Sequence, residues 1–307
     1  MLNAILVLLT GLGWGLLGPA SKALFAADPG VFDGLTLSLA RGLWAFPFFA
    51  IGLGAAWRIE PPRLDARRWG YAVAASLIFG LVVSVVFTIA SQHTSVAHLS
   101  FFVGFTPVTN TVAAALVFRA PLDRRSQLAL ALGVVGVVLL AFTKATTSAT
   151  LFGDGLMLVW LAAFAAYACL LRAIGPGVSS AFVMAFVGTL SMGALIVPAL
   201  FFGGVQAAAH VTDCATIAWW FFGEVVFGST LVAQTAYAAA VRRMGVSAAT
   251  IGAEYIALAV GVLASVLMHE RWTPLTVVAG LIFCAALAVT FVPLPGFSRP
   301  AAPPRPA

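Results

Sequence analysis

Glu254 stands eight residues past the first residue of an apolar run, VSAATIGAEYIALAVGVLASVLM, residues 246–268. A run of that length spans a bilayer as a helix. An ionised carboxylate at such depth costs roughly 2.5–3.5 kcal/mol even on lenient insertion scales, so it wants a partner or a wet cavity. On a helix Ser247, Thr250, Glu254, Ala257, Gly261 and Ser265 fall on one small, polar face, while Ile256, Val260 and Leu263 point elsewhere. Two chemistries suit Glu254: holding the ammonium of an amino acid, or carrying a coupling proton. The plainer alternative is a protonated or hydrogen-bonded carboxyl that only ties the bundle.

Other chemistry-bearing residues sort around it. Arg41 and Glu224 lie at similar depths in two other apolar runs. A buried arginine–carboxylate pair costs less than either charge alone, so they are expected to be structural partners. Trp160, Phe164 and Tyr167, spaced four and three apart, make an aromatic stripe. Trp14 sits among Gly11, Gly15 and Gly18, and small residues let helices approach closely around one large ring. With Phe79, Phe102 and Tyr237 these rings suggest a mainly apolar chamber; the competing reading is ordinary packing. Gln234 and Asn110 are its expected polar contacts, because buried amides need partners.

The remaining reactive types form no site. His93, His98 and His269 fall near helix ends and His210 in a loop, where imidazoles are expected at the surface; no metal spacing links them. Cys169, Cys214 and Cys284 are isolated packing residues. Neither a metal nor a cofactor is implied.

The elements that hold these residues follow from composition. Of 307 residues, 62% are hydrophobic and only 8% charged, with mean hydropathy +1.06. A soluble domain needs a more charged exterior, so the chain is expected to be an all-α integral membrane protein. The net charge of +6 is scattered over short loops rather than clustered, which argues against nucleic-acid binding. Apolar runs suggest ten transmembrane helices near residues 2–25, 32–57, 70–91, 95–118, 127–143, 153–172, 179–204, 215–240, 246–268 and 274–293. The joints QHTS and RRMG are tight, so they predict antiparallel hairpins of the third with the fourth helix and the eighth with the ninth. The amino terminus carries no Lys or Arg before its apolar run and is expected to be an uncleaved span. The Pro-rich tail, 294–307, is expected to be disordered.

Orientation can be counted. With the amino terminus in the cytoplasm, twelve arginines (58, 63, 67, 68, 119, 124, 125, 172, 242, 243, 299 and 305) fall on the cytoplasmic side. Only Lys22, Lys144 and Arg271 face the other way. This positive-inside bias places both termini in the cytoplasm. Trp57 and Trp69 on one side, and Trp219, Trp220 and Trp272 on the other, suit interfacial belts.

Sliding the chain by 150 residues lays Trp14 on Phe164, Lys22 on Arg172, Phe32 on Phe182 and Phe87 on Tyr237. Identity is weak, but one offset runs through four pairs of spans. Two repeats, 1–145 and 146–293, would each hold five spans and so lie in inverted topology, as in secondary transporters. Gly104 then occupies the place of Glu254, and Pro107 that of Ala257.

These features carry a resemblance. An early Trp14-Gly15 pair, Arg41 in the second helix, Pro107-Val108 in the fourth and a basic loop after it resemble the drug/metabolite transporter superfamily. Within it the chain is similar to ten-helix EamA-type exporters, and most to the aromatic amino-acid exporters of the YddG type. The glutamate usual after the fourth helix is replaced by Phe118-Arg119-Ala120-Pro121, whereas Glu270, Leu275 and Gly280 keep the pattern in the second copy. The resemblance implies a secondary transporter, not an enzyme. It would export amino acids, aromatic ones as the specific expectation, or similar small metabolites across the bacterial inner membrane by alternating access. It would act as a monomer or weak homo-oligomer whose partners are the substrate and the lipid bilayer. The alternatives are a proton-coupled multidrug or quaternary-cation exporter using Glu254 and, less in keeping with the residues, a membrane-embedded lipid enzyme.

Overall fold

In a computed structural model the described residues, 2–119, 122, 124–143, 150–175, 178–213, 216–244 and 246–291, form helices and connecting turns with no strand among them. The main helical units follow in order: α1 (Leu2–Ala27), α2 (Gly34–Ile59), α3 (Ala66–His93), a two-part α4 (Val96–Gly104 and Thr106–Val117) and α5 (Arg124–Phe142). Then come α6 (Leu151–Ile174), α7 (Ser180–Phe201), a three-part α8 (Thr216–Gly223, Glu224–Val232 and Ala233–Met244), α9 (Val246–Leu267) and α10 (Pro274–Phe291). The tail 294–307, Lys144 and Cys214 lie outside the described residues.

Seven of the units are long and apolar enough to cross a membrane, and the bent α4 makes an eighth. The described apolar stretches of α9 and α10, Gly252–Leu267 and Pro274–Val289, are shorter. Ile51, Phe201, Leu263 and Leu281 are each more than half exposed. An apolar exterior of this extent suits lipid rather than water. The chain is accordingly a multi-pass membrane protein.

Local chemistry sets the helix boundaries. Asp33 starts α2 with a capping box: Oδ1 accepts from the Leu35 and Thr36 amides at 2.8 and 2.7 Å, and Thr36 Oγ1 accepts from the Asp33 amide at 2.9 Å. Ser95, Thr150 and Ser179 cap α4, α6 and α7 more simply, each hydroxyl accepting from a single amide three residues on. The turn between α3 and α4 holds only Thr94 and Ser95, and α8 ends at Met244 just before α9 begins at Val246, so both predicted hairpins are tight. Helix α4 bends by about 40° at Phe105, just before Pro107, which offers no N–H to the carbonyl four residues back. Helix α9, with Ala257 at that place, runs through.

Packing interleaves the two halves of the chain. Helix α1 lies against α8 and α9, and α6 against α3 and α4; α2 meets α7, and α5 meets α10. One core cluster joins Phe101, Phe105 and Leu140 to Met157 and Phe283, and another joins Leu37 and Phe49 to Leu195 and Phe222. The described helices of the two halves therefore pack through one another. Close approach of α1 to α9 needs Gly11 and Gly15. A Cβ at Gly11 would fall 2.7 Å from the Ala253 carbonyl, and one at Gly15 would fall 2.9 Å from Ala257 Cα. Ile256 and Val260, off the polar face of α9, meet these glycines.

Candidate functional site

Where α1, α2, α3, α4, α6, α7, α8 and α9 converge they leave a cavity, lined by Trp14, Phe79, Phe87, Trp160 and Phe164 among its rings. Its volume is about 70 Å³, enough to hold water. The rings brace one another: Trp160 stacks on Phe164 at 5.2 Å between centroids, Trp14 meets Phe164 edge-on at 6.5 Å, and Phe87 tilts onto Trp160 at 5.5 Å. Such offset and edge contacts fix the walls.

Two π-helical segments, Ile78–Ser84 in α3 and Glu224–Val232 in α8, run along the cavity. The first supplies Phe79, Val83 and Ser84 to the wall, and the second Ser229 and Thr230. A π turn re-aims side chains and loosens the regular ladder, and such turns recur at functional sites. The Ser84 carbonyl illustrates this: it accepts from Ser38 Oγ at 3.0 Å, Thr88 Oγ1 at 3.1 Å and Arg41 Nη2 at 3.2 Å. Ser229 and Thr230 hydroxyls bond back to the Val225 carbonyl at 2.8 and 2.6 Å and are satisfied.

The charged residues are less satisfied. Glu254 is 1% exposed, lines the cavity, and has Oε2 buried without a hydrogen-bond partner among the described residues. Arg41 is 4% exposed and also lines it; its Nε is likewise unpartnered. Gln234 contributes a buried amide to the same wall.

The expected Arg41–Glu224 pair is corrected here: among the described residues the two form no ion pair. Glu224 folds its carboxylate over Gly228 of its own helix, where the missing side chain leaves room, and Oε1 is buried without a partner. Arg41 turns instead to the Ser84 carbonyl that the π segment offers. Of the expected contact residues, Trp14, Phe79, Trp160, Phe164, Gln234 and Glu254 line the cavity. Four do not. Phe102 is fully buried in the core beside Phe283. Asn110 lies on the second part of α4, beyond the bend, with Oδ1 buried and unpartnered. Tyr167 stands behind the wall against Phe79 at 4.9 Å, and Tyr237 stands beside Trp14 at 5.0 Å. Tyr167 and Tyr237 lie one turn beyond Phe164 and Gln234, past the opening, whereas Phe102 is adjacent to cavity-lining Val103 but turned into the core.

A second polar cluster gathers at the end of the bundle that carries the α3–α4 turn. His98, expected at the surface, is wholly buried: Nδ1 lies 3.1 Å from both oxygens of Asp154, and Nε2 lies 3.2 Å from Thr143 Oγ1. Thr94 Oγ1 donates to Asp154 at 2.5 Å. Thr150 donates through its amide and hydroxyl to the His93 carbonyl at 3.0 and 2.7 Å. Glu270, from the far end of the chain, accepts from the Val96 and Ala97 amides at 2.7 and 3.1 Å, with Lys22 Nζ 4.0 Å away. The turn is thus tied to α5, α6 and the start of α10. Asp154 inside an apolar run was the available signal, since a carboxylate there needs a partner as Glu254 does.

Residues 1–142 match the EamA-like transporter family, somewhat less than half of the chain. No curated protein matches it. Among solved structures, one crystal structure of a protein is similar over 93% of this chain and 95% of its own, with a TM-score of 0.55 and 17% identity. At that identity the likeness speaks to the fold alone.

Proposed function

We propose that the chain is a secondary transporter of small amphipathic metabolites, amino acids foremost, working by alternating access. The observation that carries this reading is the cavity itself: aromatic walls drawn from both halves of the chain around the Glu254 carboxylate, whose Oε2 has no hydrogen-bond partner among the described residues. Two inverted five-helix repeats, 1–145 and 146–293, are supported by the exchange of partners between α1 on α8 and α9 and α6 on α3 and α4. The π segments at matching places in α3 and α8 add to that support. Substrate sites of inverted-repeat transporters lie near the midplane between repeats. The match of residues 1–142 to a transporter family points the same way.

In this reading both termini lie in the cytoplasm of a bacterial inner-membrane protein, following the arginine bias. The α3–α4 turn then faces outward and is held shut by the Asp154–His98 and Glu270 ties, so this state admits substrate from the cytoplasm. Export requires those ties to open while the α8–α9 hairpin closes. The chamber as it stands suits a small side chain. An aromatic amino acid requires the Trp14–Phe164–Trp160 group to part.

Uptake and counterflow in proteoliposomes against amino acids, organic cations and sugar phosphates test the proposal. Exchange of a labelled amino acid is expected; turnover of a lipid with no solute moved contradicts it. A second reading, a proton-coupled cation exporter, is favoured by Glu254 Oε2, which is buried with no hydrogen-bond partner among the described residues. It requires Glu254→Gln to abolish gradient-driven efflux, whereas a facilitator keeps exchange with altered affinity.

A further inference from the structure

We infer that Arg41 is the carboxylate-binding residue of the cavity and that, with Glu254, it forms a two-point receptor for the zwitterionic head of an α-amino acid. This rests on the transport reading above and narrows it. The two side chains come from α2 and α9 into the same cavity, each almost fully buried. They do not pair with each other, and Arg41 does not pair with Glu224. A cation and an anion held apart in an aromatic chamber is an arrangement that dielectric cost opposes unless something neutralises both.

Arg41 is held rather than satisfied. The Ser84 carbonyl takes one guanidinium donor at 3.2 Å, and Ser38 and Thr88 hold that same carbonyl. Four of its five N–H groups have no described bond, and Nε is buried without an acceptor. A planar fork fixed at one prong is suited to a carboxylate taken by the others. Glu254 accepts only, so its complement is a cation with several donors, which an ammonium is. One molecule carrying both groups on adjacent atoms compensates both charges and adds no net charge to the membrane interior. An amine alone leaves Arg41 bare, and an acid alone leaves Glu254 bare. Each missing charged contact should lower affinity roughly 10- to 100-fold. The Gln234 amide lines the same cavity and can serve either head group.

The test is a matched set of ligands on the purified full-length chain in detergent: L-phenylalanine, 2-phenylethylamine and 3-phenylpropionate, then L-leucine with its amine and acid counterparts. Binding is read by calorimetry, and exchange in proteoliposomes runs in parallel. Wild type should bind each amino acid at least 10-fold more tightly than its amine or acid. Arg41→Gln should remove the preference over the amine while leaving amine affinity within two-fold. Glu254→Gln should remove the preference over the acid. Arg41→Lys, which keeps the charge but not the fork, guards against misfolding and should weaken the amino acid and the acid while sparing the amine. If wild type binds the amine as tightly as the amino acid while exchange persists, this inference fails and the transport reading stands. Equal losses for all three ligands in Arg41→Gln and Arg41→Lys mean that Arg41 only ties α2 to α3, and also overturn it. If no member binds or exchanges, both the inference and the amino-acid reading fall.

Discussion

Gly15→Ala tests how the cavity is held together. The added methyl would lie 2.8 Å from Val260 Cβ and 2.9 Å from both Cα and O of Ala257. Relaxed carbon contacts sit at about 3.5–4.0 Å. Two of the three obstructing atoms are backbone and cannot rotate away, so α1 and α9 must part by about 0.5–1 Å. Overpacking of this kind costs about 1–3 kcal/mol. In a bilayer, where apolar surface alone gives helices no reason to associate, lost contact is not regained elsewhere. Gly54→Ala in α2 is the control, because nothing lies within 4 Å of its added methyl. Helix propensity there favours alanine by about 0.8–1 kcal/mol. Thermal unfolding in detergent is the assay. Gly15→Ala should melt several degrees below wild type, at about 2–4 °C per kcal/mol for a chain of this size, and Gly54→Ala no lower than wild type. Ala257 is one turn from Glu254, so ligand affinity should fall with the melting temperature. If Gly15→Ala melts with Gly54→Ala, the close α1–α9 contact is not what fixes the cavity.

Three other outcomes follow from the geometry. Glu270→Ala removes the acceptor for two amides of α4 and should cost about 0.5–2 kcal/mol in the same unfolding assay. Asp154→Asn weakens the contacts to His98 and Thr94 and should cost about 1–3 kcal/mol; hydrogen exchange at the 93–98 turn should rise with it. Gln234→Ala should weaken ligand binding roughly 10-fold, whereas Tyr167→Phe and Asn110→Ala, which stand off the cavity, should leave it within two-fold by calorimetry.

How far the sequence reached depends on which physical signal each residue carried. The all-helical class and the placement of the α3–α4 hairpin were legible because long apolar runs bounded by hydroxyl caps leave few alternatives; the 93–96 turn fell where QHTS put it. Glu254 was legible because a carboxylate amid 22 apolar or small neighbours is conspicuous. The fate of Arg41 was not, since depth alone made Glu224 an equal partner and only the π segment put the Ser84 carbonyl in reach. A π turn adds one residue to a helical turn and changes no composition, so periodicity cannot reveal it. Tyr167 and Tyr237 share their stripe or neighbourhood with cavity rings, and which residue of a stripe meets an opening is decided by helix rotation. His98 was misread because its nearness to a helix end said nothing of Asp154, 56 residues away.

Sided labelling of the cavity tests the alternating-access account most directly. With Cys169, Cys214 and Cys284 replaced, Ser229→Cys places one thiol in the cavity wall. Membrane-impermeant thiol reagents are then applied to either face of sealed vesicles. The account predicts reaction from the arginine-rich face in the absence of substrate, slowing as an amino acid saturates the cavity, and reaction from the opposite face once the Asp154 and Glu270 ties are removed by mutation. A thiol that reacts equally from both faces, or whose reaction no solute slows, would contradict it.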